Sequence, residues 1–304
     1  MKILVIGGTG HVGNYLVPKL LKNGHDVYVG TRGQIQPRDA ESLQGAKFIK
    51  VNARDKENLC ALKEERFDVI IDFPGSAKLV WDVLAEGVSH IIACGSLWMF
   101  GYPKIVPTPE IGFEKCFDKG YEIRYDDMLK MQAESGKGKA VFTAIMPPNI
   151  CGPGKIPVDQ YGGRSIELHK QMAAGEKVYI PDGPECVIGP CDAEDIAELF
   201  ALAVENREAA AGQIFNVGSA YSLTTSEFIR AYARIYGVEI PIERVSWEKY
   251  IAEINPSKGG WWHFYSPMCP DISKARKLLG YEPRYTPEQT LKRAVDWMRE
   301  QDLL

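Results

Sequence analysis

Three glycines near the start of the chain have a spacing that points directly to chemistry. Gly7, Gly10 and Gly13 follow the apolar run at residues 3–6, and an amphipathic segment comes next. Glycines at this spacing permit a tight turn, a close approach of the backbone to a pyrophosphate, and close packing of a helix on a strand. The free N–H groups of the helix N-terminus then face the phosphates. The pattern predicts a dinucleotide-binding β-α-β unit, with a glycine turn that binds no ligand as the alternative. The predicted contacts in this turn also include Thr9, His11 and Val12.

The residues after the second strand bear on the identity of the dinucleotide. An acidic side chain there would hydrogen-bond the 2′-hydroxyl of NAD, whereas an arginine accommodates the 2′-phosphate of NADP. The strand predicted at residues 27–30 is followed by Thr31 and Arg32. A guanidinium can pair with a phosphate through two hydrogen bonds. The sequence therefore favours NADP over NAD, and an arginine that is solvated or stacked on the adenine is the alternative.

Buried strands and amphipathic helices alternate along the chain. Further strands are predicted at residues 48–51, 69–71, 90–94, 140–146 and 213–217, and helices at 56–66, 165–174, 193–205, 226–236, 273–279 and 287–300. This alternation predicts an α/β fold, a Rossmann-type doubly wound parallel sheet with a smaller, interleaved C-terminal substrate lobe. We expect a dinucleotide-binding domain at 1–150, to which 191–218 returns, and a substrate-binding lobe at 151–190 and 219–304.

Composition gives no support to several functional classes. The 304 residues carry a net charge of -4, which gives no reason to expect a nucleic-acid or membrane surface. The seven cysteines are scattered and lack metal-ligand spacing, which is typical of free thiols in a reducing compartment and predicts no metal site. No apolar stretch is long enough to cross a membrane. We therefore predict a cytoplasmic protein.

Several segments resemble the extended short-chain dehydrogenase/reductase superfamily, and within it a divergent branch of the NAD-dependent epimerase/dehydratase family. These segments are GGTGHVG at 7–13, ACGSLWMFG at 93–101, MPPNICGPG at 146–154, DAEDIAELFALAV at 192–204 and GQIFNVG at 212–218. The resemblance implies an NAD(P)-dependent oxidoreductase or epimerase-like enzyme acting on a hydroxyl or carbonyl carbon of a small molecule. It also implies a homodimer. Further cofactor contacts are expected at the ends of the third and fourth strands, at Asn52, Ala53, Phe73 and Pro74.

The same resemblance implies the catalytic residues. The family uses a serine that hydrogen-bonds the substrate oxygen, and a Tyr-xxx-Lys pair in which tyrosine is the acid/base and lysine supports it. The motif at 93–101 assigns the serine to Ser96, and the family spacing then assigns the tyrosine to Tyr121. The lysine position is occupied by Tyr125, and Lys130 lies a further helical turn along. Tyr121 is thus a weak acid/base, a substrate hydrogen-bonder or a helix residue without chemistry. The missing charge would be supplied by Arg124, by Lys119 or by the nicotinamide ring.

Two further departures from the family concern the substrate. Residues 186–190 lack the arginine that binds the diphosphate of nucleotide sugars, and Met146 replaces another marker arginine. Because anionic diphosphates need cations, we expect a substrate other than a nucleotide sugar. Asn149 and Trp98 are predicted to contact the substrate. Trp98 and the aromatic run at 261–265 form either an apolar wall for that substrate or packing between the lobes.

Two other functions remain open. The missing lysine favours a catalytically weak or inactive dinucleotide-binding sensor or regulator. RNA binding is suggested only by chloroplast relatives in the divergent branch. The acidic balance and the lack of mixed aromatic and basic motifs count against RNA binding.

Overall fold

The computed structural model describes residues 1–34, 37–255 and 260–304. In chain order its strands are β1 (Lys2–Ile6), β2 (Asp26–Thr31), β3 (Lys47–Lys50), β4 (Val69–Asp72), β5 (His90–Cys94), β6 (Val141–Met146), β7 (Asn149–Cys151), β8 (Val178–Pro181), β9 (Val187–Ile188), β10 (Pro190–Asp192), β11 (Gln213–Asn216), β12 (Leu223–Thr224) and β13 (Ile242–Val245). Seven of these strands form one sheet in the order β11-β6-β5-β4-β1-β2-β3. Every pairing in that sheet is parallel.

Helices connect the strands and cover the sheet. They are α1 (Gly13–Lys22), α2 (Lys56–Cys60), α3 (Ala77–Leu84), α4 (Lys119–Glu134), α5 (Ile166–Ala173), α6 (Ala193–Glu205), α7 (Arg207–Ala210), α8 (Thr225–Tyr236), α9 (Trp247–Lys249), α10 (Ser273–Leu279) and α11 (Pro287–Glu300). Short 3-10 helices add Ala61–Glu65, Leu97–Phe100 and Gly260–Phe264, and a π-helical turn adds Tyr250–Ile254.

The strand sequences explain why both faces of the sheet are covered. In β1, Ile3 and Val5 join the core beneath α1, α6 and α10, whereas Leu4 and Ile6 join the core beneath α2, α3 and α4. All four side chains are essentially inaccessible to solvent. A strand that is apolar on both faces is typical of a parallel sheet between two helical layers. The predicted doubly wound α/β fold is therefore confirmed.

A third hydrophobic core lies outside the sheet. Side chains from α5, α8, α11, β8 and β13 build it, and Tyr232 and Tyr250 are its largest fully buried members. Each of the two-stranded pairs β7–β10, β9–β12 and β8–β13 contributes at least one residue to this core. Within the segment 191–218, α6 packs on α1 and β11 pairs with β6. The residue boundaries of the two predicted domains stay a prediction.

The strand order fixes where a ligand can bind. The chain runs outward from β1 to β3 on one side of the sheet and from β4 to β11 on the other, so the direction reverses between β1 and β4. In open parallel sheets a crevice forms at this reversal, outside the carboxyl ends of the strands. Across the described ranges, no helix is both long and apolar enough to cross a membrane.

Candidate active site

The glycine turn after β1 adopts the conformation that its sequence requires. Gly7 has a φ of +80°, a left-handed conformation that favours glycine. Its N–H donates to the carbonyl of Gly30 at 2.9 Å, and the N–H of Gly10 donates to the carbonyl of Gly7 at 2.9 Å. A Cβ on Gly10 would lie 3.0 Å from the Gly7 carbonyl oxygen. The turn thus forms a side-chain-free cradle at the carboxyl end of β1.

The atoms that exclude a side chain at Gly13 belong to Gly8, and not to the neighbouring strand as the sequence pattern predicted. A Cβ at this position would lie 2.4 Å from the carbonyl oxygen of Gly8 and 2.6 Å from its Cα. The close approach is therefore between the first residue of α1 and the turn itself. Gly8 supplies the packing against the adjacent strand and helix, because a Cβ there would meet Val29 at 3.1 Å and Val17 at 3.2 Å.

A cavity of about 310 Å³ opens beside this turn, between the ends of β1, β2, β3 and β4. The sequence-predicted cofactor residues that line it are Gly7, Thr9, Gly10, Thr31, Arg32, Asn52, Ala53, Phe73 and Pro74. Sequence reasoning missed Gln34, Arg54 and Ser76, which also line the cavity. Each of these follows a strand end by a few residues, which is the signal that could have identified them.

The cavity carries positive charge at its β2 end. Arg32 and Arg54 line it, and Arg32 also lines an adjoining open depression of about 500 Å³ with Lys50. In the part of the chain that the structure describes, neither lining includes a carboxylate. Arg38, the other arginine near this strand, is turned away and lies over the ring of Tyr15, 4.4 Å from its centroid.

His11, Val12 and Gly13 do not line the cavity. Val12 is buried in the core beneath α1. The carbonyl of Pro153, which lies in the segment after β7, accepts hydrogen bonds from His11 Nε2 at 2.9 Å, from the Tyr15 hydroxyl at 3.1 Å and from Arg38 Nη1. Burial, together with Lys155, Arg164 and Arg38 nearby, lowers the pKa of His11 to about 3. His11 is therefore a neutral residue that joins the glycine turn to the segment after β7.

Asp72, at the end of β4, organises the next loop. Its buried Oδ2 accepts from the backbone N–H of Ser76 at 2.7 Å. Burial raises the pKa of Asp72 to about 6, although Ser76 and Arg124 act in the opposite direction. The carboxyl group fixes the 73–76 loop, which contributes Phe73, Pro74 and Ser76 to the cavity.

Ser96 follows β5 and is largely buried. Its Oγ accepts from the backbone N–H of Trp98 at 3.3 Å, so it caps the short 3-10 helix Leu97–Phe100. Trp98 lies edge-on to His263 at 5.2 Å and to Phe117 at 5.3 Å between ring centroids. The contact with His263 joins the predicted domain 1–150 to the predicted lobe at 219–304, which agrees with the packing interpretation of the aromatic cluster.

Tyr121 lies in the first turn of α4, and Asp118 caps this helix by accepting from the Tyr121 N–H at 2.9 Å. Within the described residues, the Tyr121 hydroxyl has no hydrogen-bond partner. Arg124 lies one turn along, with its Cζ 5.7 Å from the centroid of the Tyr121 ring. Its Nη2 donates to the carbonyl of Cys94 at 3.2 Å, two residues before Ser96. Arg124 thus connects α4 to the end of β5.

Tyr125, which occupies the lysine position, and the two nearby lysines of α4 point away from Tyr121. Tyr125 accepts from the N–H of Gly112 at 3.0 Å and packs edge-on against Phe100 at 5.4 Å. Lys130 is exposed and pairs with Asp127, and Lys119 is exposed and pairs with Glu122.

Asn149 connects β7 to the residue before β10 and to the 3-10 helix Gly260–Phe264. Its Nδ2 lies 2.8 Å from Nδ1 of His263, and its Oδ1 accepts from the N–H of Gly189 at 3.1 Å. Burial lowers the pKa of His263 to about 4, so its neutral ring accepts the Asn149 hydrogen bond at Nδ1. The predicted substrate role of Asn149 and Trp98 stays a prediction.

A glycine cradle beside a cavity at the sheet reversal is typical of a dinucleotide-binding α/β protein. The model of the NAD dependent epimerase/dehydratase family matches residues 3–92. Together with the relatives described next, this match confirms the predicted resemblance. The same similarities confirm the predicted enzyme class, an NAD(P)-dependent oxidoreductase or epimerase of the short-chain dehydrogenase/reductase type.

Similar proteins extend over nearly the whole chain. UDP-glucose 4-epimerase of Lacticaseibacillus casei is 26% identical, over 98% of this chain and 96% of its own length. UDP-glucose 4-epimerase of Lactobacillus helveticus is 23% identical, over 94% of this chain and 93% of its own length. A chloroplast stem-loop binding protein of 41 kDa from Arabidopsis thaliana is 26% identical, over 93% of this chain and 75% of its own length.

Solved structures share the fold. UDP-glucose 4-epimerase of Thermotoga maritima, solved with UDP-glucose, has a TM-score of 0.76 at 23% identity and covers 99% of both chains. The enzyme of Bifidobacterium longum, solved with NAD+ and UDP, has a TM-score of 0.75 at 18% identity, over 100% of this chain and 99% of its own.

These relatives overturn one expectation. The exclusion of nucleotide sugars is wrong, because proteins named for a nucleotide-sugar reaction align from end to end. That exclusion depended on two marker arginine positions, but other segments can supply cations. Lys155 and Arg164 both lie near His11, and the positive charge of each lowers the pKa of His11. A small-molecule substrate and a nicotinamide dinucleotide are supported, and the homodimer stays a prediction.

Proposed function

We propose that the protein is a nicotinamide-dependent epimerase that inverts a hydroxyl-bearing carbon of a nucleotide sugar. The observation that carries this proposal is the connection made by Arg124 between the cofactor loop and the catalytic residues. A Cβ on Gly75, within the loop that lines the cavity, would lie 2.7 Å from Arg124 Cζ. The same side chain reaches Tyr121 and the end of β5. Arg124 therefore links the loop that lines the cavity to Tyr121, as our proposal of a single site requires.

The cradle fits a dinucleotide because a side chain at Gly10 would crowd the Gly7 carbonyl and fill the space for the phosphates. A nicotinamide held beside this cradle would supply the chemistry of hydride acceptance from the substrate carbon and hydride return to its opposite face. In our proposal Tyr121 takes the proton of the substrate hydroxyl as that carbon is oxidised, and later gives it back. The unpartnered hydroxyl of Tyr121 is free for this exchange. Ser96 would hydrogen-bond the same substrate oxygen.

Lys155 is our candidate for binding the anionic diphosphate. Within the described residues it has no hydrogen-bond or ion-pair partner. Burial and the neighbouring Arg164 lower the pKa of Lys155 to about 8, so it is mostly cationic at neutral pH. Both Nη atoms of Arg164 donate to backbone carbonyls, of Ile156 and of Ile150. Arg164 would thus shape the segment that presents Lys155.

The direct test is turnover of UDP-glucose and UDP-galactose by the purified protein with NAD+ or NADP+ present. NMR of the anomeric protons should show each sugar converting into the other. Ser96→Ala should slow this conversion, and loss of the cap on the helix Leu97–Phe100 should also cost about 0.5–2 kcal/mol of stability. Cofactor binding without conversion of either sugar would contradict the proposal.

For the adenosine end of the cofactor, we propose a preference for the 2′-phosphate. The support is the pair Arg32 and Lys50 beside the β2 end of the cavity, with no carboxylate in the described lining. Arg32→Ala should weaken NADPH binding about 10- to 100-fold, since a hydrogen bond to a charged group contributes about 1.5–3 kcal/mol. NADH binding should change little. Calorimetric titration measures both affinities.

Arg230→Ala is the control for the cofactor titration, because Arg230 is a surface arginine of α8. It should leave both affinities unchanged. Equal loss of NADH and NADPH binding in Arg32→Ala would contradict the preference for the 2′-phosphate.

A further inference from the structure

Arg124 occupies a space that the chain keeps open for it. Gly75 has a φ of +79°, and a Cβ there would lie 2.7 Å from both Cζ and Nη2 of Arg124. The guanidinium therefore packs directly on the backbone of the loop that lines the cofactor cavity. An alanine at Gly75 would displace it.

The guanidinium also faces two functional elements. It lies 5.7 Å from the ring centroid of Tyr121 and donates to Cys94 at the end of β5. Its charge reaches Asp72, because Arg124 opposes the increase in the pKa of that buried carboxyl group. The guanidinium is a contact point shared by the cofactor loop, β5 and Tyr121.

Other charged or titratable groups face this position from each packed element. Asp72 comes from β4, Lys78 from α3, Cys94 from β5, and Asp127 from α4 itself. Burial raises the pKa of Cys94 to about 12, so its thiol stays neutral near pH 7. Lys78 pairs with Asp82 at 2.6 Å. Among the described residues around Tyr121, Arg124 is the cation that directly contacts the Tyr121 ring.

We infer that Arg124 replaces the absent lysine and acts as a positioning residue that stabilises the Tyr121 phenolate. This inference rests on the proposed function for its role in turnover. Arg124, three residues after Tyr121, reaches the backbone of Gly75. Tyr125, four residues after Tyr121, turns toward Gly112 instead. The glycine at 75 and the arginine at 124 form one unit, because the guanidinium needs the space that glycine leaves.

The test compares Arg124→Lys and Arg124→Gln in the oxidation direction across pH. Removal of the positive charge in Arg124→Gln makes the phenolate less stable, so the rising limb of the rate profile should move to higher pH by about one unit. Turnover at pH 7 should fall about 10-fold. Arg124→Lys should recover most of both effects. Lys119→Gln, which removes an exposed cation from the same helix, should leave the profile unchanged.

A second measurement separates this inference from the proposed function. Phenolate absorbance, taken as the difference between a protein and its Tyr121→Phe form, follows the ionisation of Tyr121 without any substrate. That difference should appear at higher pH in Arg124→Gln than in the native chain. If the native chain converts no sugar, the proposed function fails and this titration still decides the inference. An unchanged titration, or an equal shift in Lys119→Gln, overturns the role of Arg124.

Discussion

Tyr121→Phe is expected to lower the rate of hydride transfer by about 10²- to 10⁴-fold, the usual contribution of a positioned acid or base. Phenylalanine keeps the ring beneath Arg124 and removes only the hydroxyl, which makes no hydrogen bond within the described residues. Stability and NADPH affinity should therefore stay close to native. Single-turnover absorbance of the reduced nicotinamide measures the rate.

Tyr125→Phe is the matched control for this prediction, since it makes the same change four residues later on α4. The Tyr125 hydroxyl accepts from the Gly112 N–H at 3.0 Å. Its loss should cost about 1 kcal/mol of stability without slowing hydride transfer. If the two variants transferred hydride at equal rates, Tyr121 would not be the acid/base of the proposed mechanism.

Gly13→Ala should give the second large effect, a combined loss of stability and of cofactor binding. The added methyl carbon would lie 2.4 Å from the Gly8 carbonyl oxygen, a distance that requires the turn to move. Overpacking of this kind costs about 1–3 kcal/mol. Because the displaced atoms belong to the phosphate cradle, NADPH affinity should fall by about 10-fold or more. Thermal unfolding and calorimetric titration measure the two effects.

Gly87→Ala controls for the Gly13 substitution. A Cβ on Gly87 would meet only the Leu84 carbonyl oxygen, at an ordinary 3.8 Å. This variant should bind NADPH normally and unfold near the native temperature. Normal binding by Gly13→Ala as well would show that the turn tolerates the extra carbon, and the cradle interpretation would be wrong.

The central sheet could be predicted from sequence because its strands are short apolar runs between turn signals. The predicted strand at 90–94 coincides with β5, and the predicted helix at 193–205 coincides with α6. The helix predicted at 56–66 is divided, since α2 ends at Cys60 and a 3-10 helix continues. Strands of two or three residues such as β9 and β12 are too short for any hydrophobic period to appear.

The cofactor cavity was largely predictable because strand order alone brings the carboxyl ends of parallel strands together. Arg124 was one of three candidates for the charge of the missing lysine. Sequence could not choose between them, because spacing along a helix does not determine which way a long side chain turns. The space at Gly75 determines it, and that contact joins residues distant in sequence. The nucleotide-sugar expectation failed for a related reason, since charge in a folded chain can come from segments outside a family motif.

The Pro153 carbonyl limits how the two halves of the molecule can separate. His11, Tyr15 and Arg38 all donate to this one oxygen. A movement that opened the cleft at this corner would break all three hydrogen bonds together. Rotation about Pro153 would preserve them. Any relative movement of these segments is therefore expected to turn about this corner.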